Sequence, residues 1–158
     1  MNPVNAAMAA KTASVCTCFR LRSLSRRVTQ LYDQTLSPSG LKVTQYSLIA
    51  HARRREGGVA PTVSDLAHAL FTDRTTVTRN LKPLVDAGLV EIGHGPDARS
   101  KAVNVTAAGE SVFQATKPLW RQAQARMREL VGEEHLGALH GLIAAMLPQL
   151  ESTGDTGI

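Results

Sequence analysis

Threonine and arginine side chains cluster in the stretch "DRTTVTRN", where a helical pattern begins. Five residues form this cluster: Arg74, Thr75, Thr76, Thr78 and Arg79. Four of them fall at helical positions i, i+1, i+4 and i+5, which share one face. Threonine hydroxyl and methyl groups suit phosphates, base edges and the thymine methyl group, and arginine can bind phosphate or pair bidentately with guanine. The pattern predicts a nucleic-acid-binding face, although an ordinary solvated helix face can have the same composition.

A second polar cluster follows in "GHGPDARSK", between two segments that alternate apolar and polar residues. Such alternation predicts the two strands of a hairpin, with Asp97, Arg99 and Lys101 at or near its tip. Arg99 is the predicted minor-groove residue, because a narrow groove concentrates negative potential. Asp97 is expected to hold the Arg99 side chain in an extended rotamer. The alternative is a local salt bridge in the turn, worth under about 1 kcal/mol.

Two short helices joined by a tight turn are predicted just before the hairpin. Thr62 and Asp65 form a pattern similar to a capping box and predict the start of the first helix. Asp73 is the predicted N-cap of the second helix, which extends to about residue 87 and is ended by Gly88. The inward face of this second helix is expected to carry Val77, Leu81, Leu84 and Val85. A helix-turn-helix followed directly by a hairpin predicts a winged helix, with its second helix in the major groove of DNA.

Helices are also predicted before this unit. An apolar stripe over residues 14–36 predicts the first helix of the chain. Thr44 is the predicted N-cap of the next helix, which is expected to end at Gly57 and Gly58. Three arginines near that end could contact phosphate, but a favourable interaction with the dipole of their own helix is the preferred interpretation: Arg53, Arg54 and Arg55.

Two further helices are predicted after the hairpin. Thr106 is the predicted N-cap of a fifth helix, which is expected to bend or restart at Pro118. A sixth helix follows Gly132. Its apolar residues have the spacing of a heptad-like seam: Leu136, Leu139, Ile143, Met146 and Leu150.

The predicted fold class is therefore mainly α with a small β-hairpin wing. A winged helix-turn-helix DNA-binding domain is expected at residues 43–106, and a helical dimerisation region at residues 14–36 and 107–151. Residues 1–13 and 152–158 are expected to be flexible termini.

The composition limits the classes of protein to which the chain can belong. With 43% hydrophobic and 20% charged residues among 158, it is expected to fold as one compact domain with extra elements for association. The formal net charge of +5 and the pI of about 9.7 favour an anionic partner. No apolar run approaches the roughly 20 residues that cross a bilayer, and the N-terminal segment lacks the apolar region of a secretory signal. We therefore expect a cytoplasmic protein with no membrane partner.

Several motifs in order resemble the multiple-antibiotic-resistance regulator (MarR) family of bacterial transcription factors. The helix-turn-helix is followed by "LV" at residues 89–90, "DAR" at 97–99 and "VTAAG" at 105–109. The stretch "VTQLYDQTLSPSGLKVTQYSLIA" is also similar to the first two helices of that family, and the resemblance covers about residues 16–150. The family usually has more charged residues after the wing arginine, where this chain has Ser100 and then Lys101. This departure predicts somewhat weaker binding by the wing.

The resemblance implies a ligand-responsive regulator, in most cases a repressor, that binds a pseudo-palindromic double-stranded operator. It implies a homodimer held together by the first, fifth and sixth helices. It also implies a small-molecule effector pocket between the dimerisation helices and the winged domain. Tyr46, His51 and Trp120 are the candidate lining residues, although all three have the character of ordinary core residues as well.

Cys16 and Cys18 are candidates for redox or metal sensing, a use that the resemblance implies for some family members. Two residues that are two positions apart on a helix point about 200° apart, so they could not chelate one ion without unwinding. Buried packing at a dimer interface is the alternative for this pair. No cofactor and no metal centre is predicted.

Two other classes of protein remain as alternatives. The sequence carries no nucleophilic triad pattern, no paired-histidine metal helix and no glycine-rich phosphate loop after a strand, so an enzyme is not expected. A winged helix used only for protein contacts is the other alternative. Salt-sensitive retention on random DNA distinguishes it from a DNA-binding protein.

Overall fold

The structure is a computed structural model that describes residues 16–53, 58–95, 97 and 100–151. Its elements in chain order are α1 (Thr17–Leu36), a 3₁₀ turn (Ser37–Ser39), α2 (Val43–Ala52), α3 (Val63–Ala69), α4 (Arg74–Asp86), β1 (Val90–His94), β2 (Lys101–Val105), α5 (Ala107–Val131) and α6 (Glu133–Glu151). The predicted fold class, mainly α with one β-hairpin, is confirmed. The termini that were expected to be flexible lie outside the described residues. The division into a DNA-binding and a dimerisation domain stays a prediction.

The helix-turn-helix has the caps that the sequence predicts. Thr62 accepts a hydrogen bond from the Asp65 backbone N–H, and the Asp65 carboxylate accepts one from the Thr62 N–H. Asp73 caps α4, where its side chain accepts the Thr76 backbone N–H. The turn between α3 and α4 passes through Phe71, whose φ of 49° is left-handed, a conformation that is uncommon for a bulky residue. The tight turn between the two helices is therefore confirmed.

The hairpin is antiparallel, with Val90 opposite Val105 at its base and His94 opposite Lys101 near its tip. Val90 and Val103 are almost fully buried. Val103 also donates its backbone N–H to the Pro61 carbonyl oxygen at 2.8 Å, which ties the segment before α3 to the edge of the sheet. We refer to α2 through β2 as the winged unit.

The core is continuous from α1 to α5. Its least exposed large side chains come from six elements: Leu36, Ile49, Leu66, Val77, Leu84, Val90 and Val103. Burial of such side chains is the main source of stability in a fold of this kind. Three of the four residues expected on the inward face of α4 are buried, but Val85 is exposed, so that part of the prediction was wrong. Val85 instead faces the gap between α4 and the hairpin.

The start of α2 differs from the sequence prediction. The helix begins at Val43 with Lys42 as N-cap, two residues before the expected Thr44 cap. Two acceptors make this start possible, because Asp33 Oδ1 accepts the Val43 N–H at 2.8 Å and Gln45 Oε1 accepts the Lys42 N–H at 2.9 Å. The helix ends at Ala52, before the expected end at Gly57 and Gly58.

α5 is one continuous helix of 25 residues that includes Pro118, so the expected restart at that residue was wrong. The alternative, a bend of the helix at Pro118, stays a prediction. Pro118 lies on the exposed side of α5, where water can satisfy the carbonyl group that lacks its helical donor. α1 packs along α5, and α6 contacts α5 after the turn at Gly132.

The heptad-like residues of α6 form an uncovered apolar stripe in the single chain. Leu136 and Leu139 are partly buried, whereas Ile143, Met146 and Leu150 are 43%, 42% and 61% exposed. Exposed apolar patches of this kind mark interaction surfaces.

Thr106 joins the end of α4 to the start of α5, and its loss is expected to destabilise the fold. Its Oγ1 accepts the Gly109 N–H at 3.0 Å and donates to the Gly88 carbonyl oxygen at 2.7 Å. Thr106→Ala removes both bonds and should lower the free energy of unfolding by about 1–2 kcal/mol, whereas Thr106→Ser should retain most of it. Urea unfolding at one fixed protein concentration measures the difference. Equal stability of the alanine variant and the unchanged protein would contradict this role.

Candidate nucleic-acid interface

The N-terminus of α4 is organised by Asp73. Its Oδ1 accepts the Thr76 N–H at 2.8 Å, and its Oδ2 accepts the Thr76 hydroxyl at 2.7 Å. These side-chain and backbone hydrogen bonds from Thr76 lower the pKa of the Asp73 carboxyl group, so it is ionised at neutral pH. Thr76 therefore donates twice to the capping residue and is half-buried, whereas the sequence grouped it with the exposed contact residues.

The other predicted residues of α4 lie on its exposed surface. They are Arg74, Thr75, Thr78 and Arg79. The Thr78 hydroxyl donates to the Arg74 carbonyl oxygen at 2.8 Å, so its methyl group and remaining lone pairs are what it can offer a partner. Among the salt bridges between described residues, none involves Arg74 or Arg79. Both guanidinium groups can therefore accept an external anion without breaking an ion pair of that set.

The wing contributes Lys101 to the same surface. Lys101 is exposed at the start of β2, and together with Arg74 and Thr78 it lines a groove of about 380 Å³ between α4 and the hairpin. We call this the helix–wing groove. Its floor is apolar and includes Val63, Leu81, Val85 and Ile92. The structure thus brings residues from the two sequence clusters to one face.

Asp97 shapes the tip of the hairpin. Its Oδ1 accepts the Ser100 N–H at 2.8 Å, and the Ser100 hydroxyl donates to the Asp97 carbonyl oxygen at 3.1 Å. The Gly95 N–H also donates to the Ser100 carbonyl oxygen at 2.9 Å. The predicted contact between Asp97 and Arg99 concerns a residue outside the described part of the chain.

The three candidate effector residues do not lie together. Tyr46 is buried and stacks on Phe113 with ring centroids 4.8 Å apart and planes 9° apart, and it lies 6.2 Å from the Trp120 ring. His51 is exposed on another side of α2, where its Nδ1 donates to the Ser47 carbonyl oxygen at 2.7 Å. Tyr46 and Trp120 therefore form an aromatic stack with Phe113, and His51 is separate from it.

Sequence reasoning missed a polar contact between α2 and α5. Arg53, expected to interact with the dipole of its own helix, instead reaches Glu110 in the first turn of α5. The two residues are 57 positions apart, and no local pattern pairs them. Arg54 and Arg55, for which the same interaction was expected, lie outside the described residues.

Cys16 and Cys18 are both exposed, and they do not share a helix. Cys16 is the N-cap of α1, with extended ψ, whereas Cys18 lies in the first turn. The 200° separation assumed both residues to be helical, so that argument does not hold. Backbone N–H groups of Phe19 and Cys18 lower the pKa of the Cys16 thiol because they stabilise the thiolate. Both side chains are exposed in the single chain. Their burial at a dimer interface, the alternative interpretation, stays a prediction.

Alkylation of Cys16 by iodoacetamide is expected to be faster at neutral pH than that of free cysteine. The thiolate is the reactive form, so the rate rises with pH and its midpoint falls below that of an unperturbed thiol. A Cys18→Ser variant isolates the reaction, which mass spectrometry can follow between pH 6 and pH 10. A midpoint equal to or above that of free cysteine would contradict the N-cap effect.

No group of three or more His, Cys, Asp or Glu side chains in the described ranges is arranged to hold a metal ion. Within the same residues, no helix has the length and apolar character needed to span a bilayer.

Comparisons with known proteins agree on one family. A model of the MarR family matches residues 39–100. The crystal structure of the M. tuberculosis transcriptional regulator MosR in complex with DNA is 36% identical to this chain, with a TM-score of 0.75 over 88% of this chain and 98% of that one. A second MosR structure is 35% identical, with a TM-score of 0.74 and the same coverage.

A more distant structure shares the fold. The MarR-family regulator from Rhodococcus sp. RHA1 is 23% identical, with a TM-score of 0.68 over 82% of this chain and 91% of that one. No curated protein sequence matches this chain. The likeness to MosR over nearly its whole length, together with the family model over the helix-turn-helix and wing, establishes that the chain belongs to the MarR family of transcriptional regulators.

Proposed function

We propose that this protein is a homodimeric, ligand-responsive repressor that binds a pseudo-palindromic DNA operator. The observation that carries the proposal is the convergence of Arg74, Thr78 and Lys101 on one groove between α4 and the hairpin. Such a face carries positive charge from two elements that a winged helix presents to DNA. The complex of MosR with DNA supports the same partner for this chain.

In this proposal α4 enters the major groove. Its N-terminal residues, Arg74, Thr75 and Thr78, face base edges, and Arg79 binds phosphate or guanine. The hairpin follows along the duplex and directs Arg99 to the minor groove, with Lys101 beside it. Asp97 holds the tip by its bond to the Ser100 N–H. The charged Asp73 caps α4 and so reduces the attraction of the helix N-terminus itself for phosphate.

A second copy of the chain is proposed to cover the apolar stripe of α6. The stripe continues into a groove of about 480 Å³ between α1 and α6, which includes Leu21, Leu24, Val28, Leu139 and Ile143. Twofold pairing through these helices would present two α4 helices about 34 Å apart, one turn of DNA. A pseudo-palindromic site follows from that symmetry.

The response to an effector is proposed as a shift between dimer conformations with different separations of the two α4 helices. A ligand that binds one conformation a few kcal/mol better suffices to release DNA. Tyr46 and Trp120 support a site near the aromatic stack, and His51 is the least supported of the three because it lies elsewhere. Oxidation of Cys16 and Cys18 to a disulfide by hydrogen peroxide, which takes up the two thiol protons and is reduced to two waters, is the second signal we propose. The exposure of both thiols and the lowered Cys16 pKa favour it.

Fluorescence-polarisation titration of the DNA upstream of the gene tests the proposal. We expect saturable binding that weakens steeply with salt, because each neutralised phosphate releases counterions. A scrambled duplex of the same length is the control for specificity. Equal affinity for both duplexes would reject operator recognition, and the absence of salt-sensitive binding to either would favour a protein-only winged helix. Light scattering of the same sample reports whether the chain is a dimer.

A further inference from the structure

The contact between Arg53 and Glu110 is a two-pronged ion pair. Arg53 Nε donates to Glu110 Oε2 and Nη2 donates to Oε1, both at 2.7 Å. The side chains are 35% and 43% exposed, so water reaches the pair but does not surround it. The two parallel hydrogen bonds fix the orientation of the guanidinium group relative to the carboxylate as well as the distance between them. A lysine, which carries a point charge, cannot fix that orientation. Glu110 also accepts a bond from Gln114 Nε2 at 2.7 Å, which orients its carboxylate.

Arg53 is also the outer member of an aromatic stack. Its guanidinium carbon lies 4.3 Å from the centroid of the Phe113 ring, within the range of a cation–π contact. Phe113 in turn stacks on Tyr46, and Tyr46 lies against Trp120. Tyr46 lies in α2 and Arg53 is the C-cap of that helix, whereas Phe113 and Trp120 come from α5. The stack therefore fixes α2 against α5 along about two turns of that helix, from Phe113 to Trp120.

α5 connects the winged unit to the helices that carry the apolar stripe. Its first turn is held by the Thr106 bond to the Gly88 carbonyl and by close packing of Gly109 on Leu89. Its later part contributes Gln124 and Met127 to the groove that α1 and α6 also line. The angle at which α5 leaves the winged unit thus decides where α4 lies relative to the dimerisation helices.

We propose that Arg53 and Glu110 are positioning residues that set the separation of the two α4 helices in the dimer, and hence the half-site spacing that is recognised. This inference rests on the proposed function. Neither residue contacts DNA in the proposed mode. Both act through the orientation of α5 on the winged unit.

Selection of duplexes from a random-sequence pool tests this inference on the full chain. The unchanged protein is expected to select one half-site spacing. Arg53→Gln and Glu110→Gln keep similar shape but remove the ion pair, and they should select spacings that differ by a base pair or more. Their affinity for the original duplex should fall about tenfold. Arg53→Lys should give an intermediate result because it keeps the charge and loses the pair of parallel hydrogen bonds.

Arg128→Gln is the matched control. It also removes one arginine and one salt bridge of α5, but Arg128 meets Glu133 only at 3.9 Å and lies near the other end of the helix. It should retain the single spacing. Thermal unfolding of each variant shows whether an affinity loss merely follows a loss of folded protein. If Arg53→Gln and Glu110→Gln select the same spacing as Arg128→Gln, or lose affinity only as they unfold, the inference is wrong.

Pulsed electron spin measurements separate this inference from the proposed function. A spin label at Ser64→Cys, in a Cys16→Ser and Cys18→Ser background, reports the distance between the two α3 helices of a dimer without DNA. We expect one narrow distance for the parent chain and a broader distribution with Arg53→Gln. A distribution with the same mean and the same width in both proteins overturns the positioning role even if the dimer forms. A parent chain with no intermolecular distance overturns the proposed dimer, and the inference with it.

Discussion

Gly109→Ala is expected to lower the free energy of unfolding by about 3 kcal/mol, near the upper end of overpacking costs. A Cβ at this position would overlap the Leu89 carbonyl oxygen and lie 2.9 Å from Val105 Cγ1. The first obstacle is backbone, which cannot rotate away as a flexible side chain can. The start of α5 would have to move from the base of the hairpin, and this cost exceeds the roughly 1 kcal/mol that alanine gains over glycine in a helix.

Gly137→Ala is the matched control for that substitution. Gly137 is also helical, but a Cβ there meets no atom within 4 Å apart from its chain neighbours and the backbone of its own helix. Alanine at 137 should therefore stabilise the chain by up to about 1 kcal/mol. Urea unfolding of both variants at the same protein concentration measures the contrast. Similar midpoints for Gly109→Ala and the unchanged chain would show that α5 does not pack this tightly on the hairpin.

Arg79→Ala is expected to weaken operator binding about 10–100-fold. This range corresponds to the roughly 1–3 kcal/mol of discrimination that a bidentate guanine contact gives. Arg79 is exposed on α4 and takes part in none of the salt bridges between described residues, so its loss should leave the fold intact. If Arg79 binds phosphate instead, the loss should be similar for all sequences and the salt slope should fall by about one. Arg74→Ala distinguishes a guanine contact from a phosphate contact in the same way for Arg74, which lines the helix–wing groove.

Arg126→Ala is the control for charge in the DNA-binding experiment. It removes the same charge from an exposed position about 28 Å along α5 from the end that meets the hairpin, at 1.5 Å per helical residue. Fluorescence polarisation with operator and scrambled duplexes gives the affinities. An equal effect of Arg79→Ala and Arg126→Ala would mean that net charge alone, and not the α4 face, explains the binding.

The local caps of the fold could be predicted from sequence because their partners are close in the chain. Thr62 with Asp65, Asp73 with Thr76 and Thr106 with Gly109 each span three residues. The start of α2 could not be found in this way. There the Val43 N–H donates to the carboxylate of Asp33, which lies ten residues earlier in another helix.

In the candidate site, too, features that depend on neighbouring residues could be predicted, and contacts between distant residues could not. The exposed face of α4 and the position of Lys101 follow from helical and strand periodicity, which the structure retains. The role of Thr76 in the cap and the pairing of Arg53 with Glu110 depend on side-chain directions and on packing between α2 and α5. A sequence pattern does not contain that information, because the same residues could equally face water.

The exposed apolar stripe of α6 also bears on how sharply the protein can respond to its own abundance. If pairing of two chains both covers that stripe and is needed to occupy a full site, then at low abundance the number of pairs rises with the square of the number of chains. Halving the amount of protein would then empty about three quarters of weakly filled sites. Occupancy of the DNA site would then depend more steeply on protein concentration than it would for a monomeric regulator.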